Sequence, residues 1–329
     1  MAIDNPLATE RRSLRVSRSA LTLVEVLVVI LIIGILAASA IPALQTGLND
    51  AQIREGARTA STILATARNR AIQTGRPVGV MLDPLSASTS GVRACDTMFY
   101  VEVPPPYAGD TISSTMTFEP QGDGTAIVSF PSGDVVDDIV QVGDQFQFNF
   151  QGHLYRIEEI VSSTTPITWK VSSGTAPALP TVPAPGVPFK FIRRPMKSSA
   201  TPVTLPGAVV IDLVNSGIGD AQFNPTTEPI LLLFTPTGRL ELVYHDGATF
   251  GEQVESMVYF LVGRPGEIGS ANLANLKSLW VGVGGRTGRV VTAENATYDG
   301  SLEDPPGTPV PEIVQRRAFA RSGVSMGGR

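Results

Sequence analysis

One run near the start constrains this chain more than any other feature. Residues 20–44 read ALTLVEVLVVILIIGILAASAIPAL, and from Leu21 to Leu44 only Thr22, Glu25, Ser39 and Pro42 are neither apolar nor glycine. A helix rises about 1.5 Å per residue, so about twenty such residues cross a bilayer core of roughly 30 Å. The run predicts a transmembrane helix over about 21–44. Arg11, Arg12, Arg15 and Arg18 precede it. By the positive-inside rule that flank stays cytoplasmic, and everything after Leu44 lies outside the cytoplasmic membrane. Glu25 is the anomaly. A charge in the bilayer costs roughly 2.5–3.5 kcal/mol or more, so it needs a partner, although the positive pole of a helix start already favours it. Pro42 removes the hydrogen bond to the Ala38 carbonyl and predicts a kink. Gly34 and Ala38 form a small-xxx-small pair that lets helices approach closely.

Beyond Leu44 the pattern changes. Ile53, Ala57, Ala60, Leu64, Ala67 and Ala71 recur at three- and four-residue steps, and Arg54, Arg58, Arg68 and Arg70 fall mostly off that stripe. This predicts an amphipathic continuation, ending near Gly75, whose flat alanine-rich face lets a sheet come close. After it come short strands: Val78–Leu82, Met98–Val103, Val209–Leu213, and two hairpins. One hairpin pairs Ile230–Phe234 with Leu240–Tyr244 across Pro236–Gly238. The other pairs Leu279–Val283 with Arg289–Thr292 across Gly284–Gly288. Between the halves, DQFQFNF alternates strictly, placing Phe146, Phe148 and Phe150 on one face, and HLYRIEEIV and PITWKVS continue in that style. Prolines border this stretch: Pro104–Pro106 before it, and Pro177, Pro180, Pro183, Pro185 and Pro188 after it. Such borders mark an inserted small barrel or sandwich with stiff connections, either a partner platform or an enlarged loop.

The expected fold is therefore α+β. A long N-terminal helix, half membrane and half amphipathic, packs on an antiparallel β-sheet head that carries an inserted small all-β subdomain. The expected divisions are 1–20 leader, 21–75 helix, 76–103 and 200–295 head, 104–199 insertion, and 296–329 flexible tail. High glycine (32) and proline (26) with only 17% charged residues suit turn-rich β structure.

ALTLVEVLVVILIIGILAASAIP resembles the N-terminus of type IV pilins and pseudopilins. In that family a small residue precedes the cut, glutamate stands fifth in the mature chain and proline twenty-second. Leu21 as first residue puts Glu25 fifth and Pro42 twenty-second, with Ala20 where glycine is usual. The resemblance implies cleavage between Ala20 and Leu21 by prepilin peptidase, then methylation of the new amine. It also implies a registry role for Glu25 against a freed amine on the same or a neighbouring helix. Ala67, Arg68, Ala71 and Ile72, the Phe234–Gly238 turn and Thr287-Gly288-Arg289 resemble the H-type (GspH/FimT-like) minor pseudopilins. That subgroup implies a low-copy subunit of a secretion pseudopilus or type IV pilus, held in the inner membrane with a periplasmic head. Its partners would be other pseudopilins or pilins, membrane lipid and secreted cargo. Two other readings of the same run remain open: an ordinary signal peptide cut after Ala40, releasing an envelope binding protein or enzyme, and a plain uncleaved anchor.

Signals for chemistry are weak. A net charge of -5 argues against a nucleic-acid partner. Cys95 is the single cysteine, which excludes an internal disulfide and suits a small buried apolar residue. VGVGGRTGR lacks the lysine of a phosphate loop. His245-Asp246 comes with no nucleophile elbow, and Asp137, Asp138 and Asp144 lack calcium-loop spacing. Asn295 opens an Asn-Ala-Thr sequence, but glycosylation there is not expected of a pilin-bearing bacterium. No enzyme activity, cofactor or metal is expected.

Overall fold

The computed structural model describes residues 23–85, 93–131, 139–163, 166–174, 178–224, 228–300 and 310–322, without the side chains of 39–46. The chain falls into two compact units, Met1–Asn49 and Asp50–Arg329. Helix α1 runs Leu23–Thr74, helical through Pro42, and Gly75 closes it in the left-handed conformation (φ 64°) that an L side chain resists. In the first unit, residues 23–38 are exposed along their whole length. Among the described residues no helix is long and apolar enough to cross a membrane. The expected span 21–44 includes residues 21 and 22 and side chains 39–44 that lie outside them.

In the second unit the alanine stripe is buried as its period predicts. Ile53, Ala57, Ala60, Leu64, Ala67 and Ala71 are fully buried in one core with side chains from two sheets. The first sheet has the order β11 (Met196–Lys197), β3 (Thr97–Glu102), β1 (Val78–Asp83), β15 (Ile230–Phe234), β16 (Leu240–Tyr244), β17 (Glu252–Gln253), with β12 (Val203–Thr204) also on β3. The second has the order β14 (Ala221–Gln222), β13 (Val210–Ile218), β18 (Met257–Gly263), β19 (Leu279–Gly284), β20 (Val290–Glu294), with β2 (Ala94–Cys95) on β13. Alternation divides each strand between two faces. On β15, Ile230, Leu232 and Phe234 join the α1 core, while Leu231 and Leu233 join a smaller cluster with Val101 on the other side. Gly56 permits the close approach on α1, because a Cβ there would lie 2.6 Å from Val209 Cγ1.

A third sheet lies between β3 and β11: β10 (Phe189–Ile192), β6 (Gln145–Phe148), β7 (Tyr155–Ser162), β8 (Ile167–Ser172), β5 (Thr125–Phe130), β4 (Met116–Pro120), β9 (Ala184–Val187). Its two end strands are neighbours in the chain, separated only by Pro188, so the sheet closes into a barrel. The first half of that segment, β9, pairs with β4 and the second half, β10, pairs with β6, which joins the two ends of the sheet. The lumen is packed with rings. Phe130 lies 4.6 Å from Trp169 and 4.9 Å from Phe189, and Trp169 lies 5.0 Å from Phe191. The barrel begins and ends at one place: Tyr107 and Phe191 exchange backbone bonds of 2.9 and 2.7 Å, and Met196 pairs with Glu102.

Two expectations are corrected. Phe150 does not share a face with Phe146 and Phe148. The strand stops at Phe148, and Asn149 and Phe150 enter a left-handed turn (φ 49° and 59°) closed by Gln151 N–H to the Phe148 carbonyl. Phe150 is left half exposed. The 296–329 tail, expected to be flexible, contains helix α3 (Glu312–Ser322), which follows the short α2 (Ser270–Ala274) in the chain. Ile313 and Ala320 bury against Tyr259, Leu261 and Trp280 on the second sheet's outer face.

Candidate assembly site

The expected processing and assembly residues divide at the limit of the described structure. Ala20 and Leu21 lie outside it. Glu25 stands in the first turn of α1, at the positive pole. Gly34 and Ala38 lie on the exposed helix, and a Cβ added at Gly34 would meet nothing within 4 Å. Leu23, Val24, Ile30, Ile35 and Leu36 are each more than 60% exposed. A continuous apolar surface of this kind marks a lipid or protein contact. Pro42 is helical, and its side chain is outside the described residues.

The second half of α1 is tied to the head by a junction that joins three separate sequence motifs. The Arg68 Nε–H donates to the carbonyl of Gly238 (2.9 Å) and to that of Thr287 (3.3 Å). One guanidinium thus bridges the turn of the β15–β16 hairpin and the turn of the β19–β20 hairpin. The turns also touch each other: Leu240 N–H donates to the Gly285 carbonyl (3.1 Å). A Cβ on Gly288 would sit 2.0 Å from the Gly238 carbonyl oxygen, and both glycines have left-handed backbones. Ile72 packs at the same place, since a Cβ on Gly238 would lie 2.8 Å from its Cδ1. Periodicity identified Arg68 only as an off-stripe residue; its hairpin partners are 170 and 219 residues away.

Near the start of the second unit, Asp50 pairs with Arg264 and Lys277, both at 3.5 Å. The loop carrying those cations is fixed by the fully buried Asp212. Its carboxylate accepts from Gly269 N–H (2.7 Å), Val214 N–H (3.0 Å) and the side-chain amides of Asn215 (3.0 Å) and Asn272 (3.3 Å). No pattern in the sequence marked this aspartate, because its partners Gly269 and Asn272 are 57 and 60 residues away.

The weak chemical signals resolve into structure. Cys95 is buried, and burial pushes its thiol up to about 12, so it is not a thiolate at neutral pH. His245 is gripped by Asp246 at Nδ1 (2.9 Å) and Glu252 at Nε2 (3.0 Å). Burial acts to lower its pKa, but its hydrogen bonds to the Glu252 and Asp246 carboxylates outweigh this and raise it. The glycines of VGVGGRTGR form the β19–β20 turn. Asn295 is buried, accepting from Trp280 Nε1 (3.1 Å) and donating to the Leu273 carbonyl (2.7 Å). Asp137 and Asp138 lie outside the described residues. Among the described residues no cluster of His, Cys, Asp and Glu could hold a metal ion.

Residues 15–41 match the prokaryotic N-terminal methylation motif, and no curated protein matches the chain. The chain carries the prepilin-type cleavage and methylation signature of type IV pilin-like proteins.

Proposed function

We propose that this chain is a minor pseudopilin of the H type, a structural subunit of a type II secretion pseudopilus or a type IV pilus. Prepilin peptidase cuts between Ala20 and Leu21, and the Leu21 amine is methylated. The apolar half of α1 anchors the chain in the inner membrane with the head in the periplasm, until assembly moves the helix into a filament core. The observation that carries this reading is the methylation motif over residues 15–41 with Glu25 in the first turn of an exposed apolar helix. There the new cationic amine, on this helix or a neighbour, compensates a carboxylate that lipid alone disfavours. The Arg68 junction supports the H-type assignment, because it joins the three head segments that resemble that subgroup. In this reading the chain catalyses no reaction. Its other contacts are neighbouring pilin-like subunits and secreted cargo.

N-terminal sequencing of the mature protein tests the proposal: methylated Leu21 supports it, and Ile41 as the first residue overturns it. Glu25→Ala is expected to insert into membranes at wild-type level but to enter filaments poorly, as read by shearing and immunoblotting. Wild-type incorporation would remove the registry role.

A further inference from the structure

A cleft of about 360 Å3 separates the barrel from the outer face of the first sheet. Junctions between packed bodies are frequent ligand sites, and this volume lies at the small end of their range. The sheet side offers Met81, Leu231 and Tyr244; the barrel side offers Gln141, Arg193 and Arg194. One wall is therefore largely apolar and the other carries two guanidinium groups.

Among the described residues the two arginines are only partly satisfied: Arg194 Nη2 donates to Gln141 Oε1 (3.0 Å), but the Nε–H groups are unsatisfied. The Nε atoms of Arg193 and Arg194 are both buried, and neither has a hydrogen-bond partner among the described residues. The adjacent carboxylate does not satisfy them. Asp144 spends one oxygen on the backbone N–H of Gln141 (2.8 Å) and the other on that of Arg194 (2.7 Å). Its distance to Arg194 Nε is 4.0 Å, too long for a hydrogen bond. Asp144 thus fixes the backbone that carries the arginines without satisfying their Nε–H groups. Leaving a buried charged donor unmade costs about 1–3 kcal/mol or more, which an incoming acceptor recovers.

We propose that this cleft binds a carboxylate carried on a short apolar chain. A carboxylate matches the fork of a guanidinium, and Met81 and Leu231 cover a hydrocarbon tail. Asp144, also on the walls, adds a negative charge beside the arginines, which disfavours a dianion such as phosphate more than a single carboxylate. Two sources share this chemistry, the C-terminus of a peptide and a free short-chain acid. The inference stands on the second unit alone, so it survives or fails independently of the filament assignment.

The test uses the full chain in detergent with 15N-labelled arginine, following the Nε–H resonances by NMR. The Arg193 signal is assigned as the one lost in Arg193→Ala. The probes are acetyl-alanyl-leucine, its C-terminal amide, butyrate and inorganic phosphate. The acid is expected to shift the Arg193 signal and to bind at least about tenfold more tightly than the amide, a difference near 1.4 kcal/mol. Arg193→Ala, followed through the Arg194 signal, and Arg193→Lys, which keeps the charge but loses the fork, should each weaken acid binding and leave the amide unaffected. Butyrate matching the peptide acid assigns the site to free acids; weaker butyrate binding assigns it to peptide C-termini. Equal affinity for acid and amide, an unmoved Arg193 signal at millimolar acid, or tighter binding of phosphate overturns the proposal.

Discussion

Arg68 gathers in a single side chain what a longer ion-pair network would otherwise do. It holds the end of α1 and two hairpin turns with charge-assisted bonds, each worth about 1.5–3 kcal/mol net. Arg68→Ala is expected to lower stability by about 2–3 kcal/mol, measured by chemical denaturation. Arg54→Ala, at an exposed site on the same helix, is expected to change it by less than about 0.5 kcal/mol. His245 makes a pH prediction at the same scale. Its folded pKa lies above the ordinary 6.5, so its contribution is complete below that value and is lost as pH rises through the higher folded pKa. Stability should fall with rising pH above about 6.5, and His245→Gln should flatten that slope in melts taken across the range. The roles of Arg68 and Asp212 were not legible in the sequence, because they depend on carbonyl and amide groups that only the fold assembles. The glycines at 238 and 288 were legible as turn residues, but the contact between the two turns was not.

At the scale of elements, the second half of α1 was the most legible part. A three- and four-residue apolar period translates directly into a buried stripe, and all six stripe residues are buried. Strand β18 was missed although Val258–Val262 is a continuous apolar run, because a strand buried on both faces loses the alternation that marks a half-buried one. Helix α3 was missed for another reason: its buried face includes Arg316 and Arg317, which read as solvent residues. Arg317 is 1% exposed and donates to the carbonyls of Gly219 (2.9 Å), Ala221 (2.9 Å) and Asn215 (3.0 Å), and burial lowers its pKa to about 10. Its guanidinium also lies over the Tyr259 ring, 5.5 Å from the centroid. Arg317→Met keeps the apolar stem but strands the buried Asn215 carbonyl and two partly buried ones. It is expected to cost about 3 kcal/mol and to raise amide hydrogen exchange along α3 while the α1 core stays protected.

At the scale of the whole molecule, the barrel has its own aromatic core and closed hydrogen bonding, while its outside covers part of the first sheet. Arg156 stacks 4.2 Å over Phe250 of the β16–β17 loop, and Gly143 packs so closely on Thr249 that a Cβ would lie 2.6 Å from its Cγ2. A fragment spanning residues 106–193 is expected to fold alone, with Trp169 fluorescence giving one cooperative transition. The remaining head, bridged from Pro105 to Arg194, should stay folded but bind more hydrophobic dye, because the cluster of Val101, Leu231 and Leu233 loses its cover. Alternating phenylalanines and flanking prolines made an inserted β unit legible. Its closure was hidden, because it depends on one chain segment pairing on both sides of Pro188.

The paired Tyr107 and Phe191 mean that the chain departs from the head and rejoins it at almost the same point. One cut in the coding DNA on either side of the barrel would therefore remove, replace or transplant the whole unit without altering the order of any strand in the scaffold. Selection can then diversify the barrel at its own pace, while the long helix and its two sheets keep their packing.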